Sequence, residues 1–132
     1  MTFLETSVII DMLAGVSAVV EAVEERGQPY LTSALCVSEV VDGTLGSGET
    51  DVEGVRQQFG GVRALELNEQ IALEATRLQD ELMADGDRMA TRDLLIAATA
   101  RSTGDELLVA DRDFETDRLI ELMPVTNLRS DP

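Results

Sequence analysis

The stretch Thr91–Glu115, TRDLLIAATARSTGDELLVADRDFE, decides the reading of the whole chain. Arg92–Ser102 is apolar nearly all round from Leu94 to Ala98, the pattern of a central buried helix, and Thr91 stands where a capping hydroxyl is expected. After Gly104 a short apolar run, Leu107–Ala110, reads as a strand, and Asp111 follows it at once. A buried helix feeding a buried strand is the unit of an α/β fold with parallel strands. In such a fold the helices run back antiparallel to the strands, so each begins at the strands' carboxyl edge, where ligands bind. Asp93, in the helix's first turn, and Asp111 are therefore expected at one edge.

The rest of the chain repeats this alternation. Thr2–Leu4 reads as a first strand, followed by a helix from near Thr6 to about Gly15. Ser17–Glu25 is a second helix, with Val16, Val19, Val20 and Val23 on one face. Tyr30–Thr32 is the next strand, and Ser33 caps a helix reaching Gly43 or beyond. The glycine-bearing segment Gly43–Asp51 reads as a flexible loop before a short helix over Asp51–Phe59. Val62–Leu67 is a third strand, and Asn68 caps a long helix to about Asp85 whose buried stripe is Ile71, Ala75, Leu78 and Leu82. A helical turn is expected at Phe114–Arg118 and a last strand at Ile120–Val125. The organisation is one domain over residues 1–126 with a mobile tail over 127–132.

Composition narrows the chemistry. A chain of 132 residues, 44% hydrophobic, buries about two-thirds of its unfolded surface and has a core without staples. A lone cysteine, Cys36, excludes an intramolecular disulfide and a cysteine-cluster zinc site, and reads as a core residue. With no histidine there is no Ser-His-Asp triad, Cys-His dyad or HExxH zinc site. All ten positive charges are arginines, so lysine-dependent phosphate loops and Schiff-base chemistry are also excluded. Carboxylate chemistry is what remains.

Ten basic against 26 acidic residues give a net charge of −16. Most of these acids read as solvated surface, and no basic stripe supplies general affinity for nucleic acid. Abundant carboxylates without lysine suit a high-salt, halophile cytoplasm, where the Debye length at about 1 M falls to about 3 Å. Met1–Leu13 has no basic leader and is interrupted by Glu5 and Asp11. No apolar stretch approaches the roughly 18 residues of a membrane span. The expected location is cytoplasmic.

Four carboxylates fall on four elements at the same sheet edge: Glu5 after the first strand, Glu39 about two turns beyond Ser33, Asp93 and Asp111. Clustered carboxylates do not all ionise side by side without cations between them. Oxygen-only ligands favour hard ions, Mg²⁺ or Mn²⁺, which activate water and stabilise charge on a phosphodiester. A metal-dependent phosphoryl-transfer site is one reading. The other leaves Asp93 as a helix N-terminal acid, Asp111 as a turn residue and Glu39 as the exposed edge of an amphipathic helix.

LETSVIIDML (Leu4–Leu13), SEV (Ser38–Val40), RDLLIAATA (Arg92–Ala100) and LLVADRDFE (Leu107–Glu115) together resemble, in order and spacing, the PIN-domain family, and within it the VapC-type toxin ribonucleases of toxin–antitoxin pairs. The resemblance spans nearly the whole chain. It implies a three-layer α/β/α sandwich with a five-stranded, mostly parallel sheet. It also implies an Mg²⁺- or Mn²⁺-dependent endoribonuclease that cuts structured cellular RNA such as tRNA or rRNA and arrests translation. Glu39, Asp93 and Asp111 match the family's acidic positions, with Asp113 a secondary candidate. Thr6 and Ser7 match hydroxyl positions that orient the first carboxylate and a metal water, and Asp11 matches a structural position. Arg92 and Arg112 neighbour the ligand candidates and are candidates for RNA-phosphate contact, with surface ion pairing the plain alternative. A VapB-like antitoxin across the catalytic edge is implied, as is a homodimer through helices of the first half. The valine stripe suits that interface or simple core packing.

One departure stands out. The family begins its first motif with Asp, whereas this chain has Glu5, whose extra methylene shifts the carboxylate by roughly an ångström; misplacement on that scale costs up to about 10²-fold. An adjusted active site, a weakened enzyme and a deliberate replacement all fit. The alternative function is therefore a PIN-fold antitoxin-binding partner with weak or no catalysis. A structure-specific DNA nuclease is disfavoured, because such relatives carry large insertions this chain lacks.

Overall fold

In the computed structural model the described residues are 1–111, 114 and 118–129. They contain five strands, β1 (Thr2–Leu4), β2 (Tyr30–Ser33), β3 (Val62–Leu65), β4 (Glu106–Val109) and β5 (Val125–Asn127), in one sheet of order β3-β2-β1-β4-β5. Every neighbouring pair is parallel, so the sheet is wholly and not just mostly parallel. Thr2, Phe3 and Leu4 of the central strand are all buried, as a strand covered on both faces must be.

The connecting helices are α1 (Thr6–Leu13), α2 (Ser17–Arg26), α3 (Ala34–Asp42), α4 (Val52–Gln57), α5 (Glu69–Ala84), α6 (Thr91–Thr103) and α7 (Leu119–Leu122). Strand alternation divides the core. Phe3, Leu31, Leu107 and Val109 pack with the stripe of α5 and the buried length of α6. Leu4 and Leu108 point the other way, toward Val8, Ile9, Val19, Val23, Val40 and Val41 from α1, α2 and α3. Two helical layers on a central sheet make the expected α/β/α sandwich. Arg101 fastens α5 to α6 through Glu74 and Glu81. Ser33, Asp51 and Asn68 each accept a backbone N–H as N-caps.

The structure corrects three expectations. Thr91 is the first residue of α6 and not its cap; Ala90 holds the N-cap position, with no side-chain hydrogen bond. The last strand does not lie at Ile120–Val125. Leu119 and Met123 are buried at helical spacing and Arg118 pairs with Glu121 one turn on, so this apolar run begins as α7. Pro124 cannot continue that helix and the strand starts after it, with the Pro124 carbonyl accepting from Leu107 N at 2.9 Å. Asn127 is consequently part of β5 and not of a tail. Of the two readings of the valine stripe the structure shows core packing: Val19 and Val23 are buried in the chain's own core, with Val16 partly buried against it. The helical turn expected over Phe114–Arg118 falls mainly on residues outside the described set, as do 130–132. No single described helix is long and apolar enough to cross a membrane.

Candidate metal centre at the carboxyl edge of the sheet

The sheet order places the topological switch beside β1, since the chain winds from β1 through β2 to β3 and then crosses to β4 on the other side. Glu5 leaves β1 still in register, its N–H donating to the Leu108 carbonyl at 3.0 Å, and at once becomes the N-cap of α1. The strand-to-helix turn therefore buries this carboxylate, leaving the residue 3% exposed. Its Oε1 accepts from the Ser7 backbone N–H at 2.9 Å and from the Ser7 hydroxyl. The same hydroxyl accepts from the Ala110 N–H at 2.9 Å, so Ser7 ties the ends of β1 and β4 together.

Burial pushes the Glu5 carboxyl up to about 7; the two Ser7 hydrogen bonds oppose this, and the nearby Asp111 and Glu39 carboxylates reinforce it. Glu5, Glu39 and Asp111 thus share one field. Glu39 reaches the edge from α3, where its Oε1 accepts from Thr6 Oγ1 at 2.6 Å and its Oε2 pairs with the Arg92 guanidinium. Asp93, at the start of α6, lies 3.6 Å from the same guanidinium. The Asp111 carbonyl accepts from the Asn127 side-chain amide at 3.3 Å.

The hydroxyl pair divides its work. Ser7 hydrogen-bonds the Glu5 carboxylate, whereas Thr6 hydrogen-bonds Glu39 on another helix. Asp11 pairs with Arg129 at 2.9 Å, in keeping with a structural role. Cys36 is fully buried, and burial pushes its thiol up. Arg112 and Asp113 lie outside the described residues. Asn127 was missed by sequence reasoning; the signal for it was Pro124, which sets where a strand parallel to β4 can begin.

Among the described residues, no three acidic side chains come close enough to share one ion. The donor set nonetheless fits a hard divalent cation: its groups are all oxygens, from separate rigid elements, and a buried carboxylate stands in the field of two others. Glu5, Glu39, Asp93 and Asp111 are the residues that would hold such an ion.

Acids along the carboxyl edge of a parallel sheet stand where such folds bind their ligands. Residues 2–118 match the family model of the PIN domain, and the chain belongs to that family, whose members are generally metal-dependent nucleases. No curated protein matches the sequence. Among solved structures, the chain is similar to FitAcB from Neisseria gonorrhoeae, with 22% identity and a TM-score of 0.77 over 98% of this chain and 99% of that one. It is also similar to DNA-bound VapBC from Salmonella typhimurium, with 19% identity and a TM-score of 0.77 over 96% and 97%. A toxin–antitoxin complex from Klebsiella pneumoniae gives 19% identity and a TM-score of 0.75 over 97% and 98%. These likenesses establish the fold over nearly the whole chain.

Proposed function

We propose that this chain is the ribonuclease toxin of a toxin–antitoxin pair, using Mg²⁺ or Mn²⁺ to hydrolyse structured RNA. The observation that carries the reading is the buried Glu5 at the end of β1, held by Ser7 and facing Glu39 and Asp111. Glu5, Glu39, Asp93 and Asp111 would have to draw together to hold a divalent ion, which when bound would supply activation of water and neutralisation of charge at the phosphodiester. The chain's own contribution is preorganisation. Ser7 fixes the Glu5 carboxylate, Thr6 fixes Glu39, and Asp93 is carried on the first turn of α6. The related solved assemblies support a small antitoxin as partner. A second copy would cover Ile10 and Leu13, left exposed on α1.

A second reading, antitoxin binding with little catalysis, is favoured by Glu5 itself, whose longer side chain folds back to cap its own helix. Induced expression in growing cells tests the first reading. It predicts arrest of protein synthesis by the wild-type chain and relief by Asp93→Asn; undisturbed synthesis with soluble wild-type protein contradicts it.

A further inference from the structure

The site carries its own cation. Arg92, the second residue of α6, sends its guanidinium to Glu39 Oε2 on α3 and to Asp93 Oδ1. The two carboxylate side chains are 14% and 13% exposed, whereas that of Arg92 is 61% exposed. The guanidinium thus enters from the rim on a long, flexible stem and meets acids set on rigid elements. A planar fork binds carboxylate oxygens well, but those are the same oxygens a divalent ion would need. With the fork in place the acids bracket an arginine, and no three of the described acids gather around one point.

We propose that Arg92 is the resident counter-cation of this site and exchanges with the divalent ion, the two occupying Glu39 and Asp93 alternately. This rests on the reading of the acids as a divalent-ion site and adds the competitor that sets its affinity. The coupling is reciprocal: what holds Arg92 in place weakens ion binding, and the ion displaces Arg92. Arg92 then stabilises the ion-free fold by joining Glu39 of α3 to Asp93 of α6.

The test is Mn²⁺ binding by titration calorimetry at constant ionic strength, with thermal unfolding alongside. Arg92→Ala is expected to bind Mn²⁺ roughly fivefold or more tightly than wild type. Arg92→Lys, which keeps a charge without the fork, is expected to fall between. In chelator Arg92→Ala melts below wild type, and saturating Mn²⁺ closes the gap. Two controls separate exchange from simple loss of positive charge. Arg88→Ala, in the loop before α6, leaves affinity unchanged, and in a Glu39→Gln background the gain from Arg92→Ala shrinks. Equal or weaker Mn²⁺ binding by Arg92→Ala overturns the proposal, as does an equal gain from Arg88→Ala. Absence of Mn²⁺ binding by wild type and Arg92→Ala alike overturns the divalent-ion reading itself, and this inference with it.

Discussion

Ser7 and Ala110 stand 103 positions apart and are joined by a 2.9 Å hydrogen bond from the Ala110 N–H to the Ser7 hydroxyl. That hydroxyl also donates to Glu5, so one small side chain fixes the carboxylate and closes β1 against β4. Ser7→Ala deletes both contacts and leaves the Ala110 N–H without its acceptor. A loss of about 2 kcal/mol is expected from unmaking these bonds in a part-buried setting. Urea unfolding reads it as a lower midpoint at unchanged slope; a midpoint equal to wild type contradicts the assigned role.

The Glu5 carboxyl titrates near 7 in the fold, against an ordinary 4.5. Between these values the folded protein binds more protons than the unfolded chain. The contribution to stability is therefore full below 4.5 and is lost as pH rises through 7. Its size is of the order of 3 kcal/mol. In chelator, Glu5→Gln stays neutral and escapes this loss. Its stability relative to wild type is expected to be least favourable near pH 5 and to climb toward pH 8. A pH-independent difference between the two proteins contradicts the assignment.

Glu5→Asp shortens the first carboxylate to the length the family uses. If the extra methylene displaces the acid, the change raises single-turnover RNA cleavage by up to about 10²-fold. The measurement is the rate at saturating Mn²⁺. A drop below wild type would mean that the surrounding residues have adjusted to glutamate.

A net charge of −16 on 132 residues destabilises the folded protein through self-repulsion. Raising KCl from about 0.1 M to about 1 M shortens the Debye length from about 10 Å to about 3 Å. The melting temperature is expected to rise across that range even though exposed pairs such as Arg77–Glu74 weaken. A flat or falling curve contradicts the high-salt reading.

The order of elements was legible in the sequence where apolar period and capping residues agreed, as at Ser33 and Asn68, and at the buried helix from Arg92 by its apolar run alone. It failed over Leu119–Val125, where LIELMPV offers apolar residues at both helical and strand spacing and only the buried Leu119–Met123 pair chooses the helix. The four acids could be placed at one edge from topology alone. Their partners could not. Thr6 meets Glu39 across 33 residues, and Arg92 reaches from the exposed rim to Glu39, because the packing of α1, α3 and α6 decides those contacts. The valine stripe shows the same limit: a helix face reads as apolar whether its own core or another subunit covers it.

Cleavage of structured RNA by the purified chain in about 1 M KCl tests the central claim most directly, with Mn²⁺, Mg²⁺ or EDTA and with Asp93→Asn in parallel. The account predicts cleavage by the wild-type chain with either ion, none in EDTA, and loss of at least about 10²-fold in Asp93→Asn. Cleavage that persists in EDTA, or that Asp93→Asn performs as fast as wild type, would contradict it.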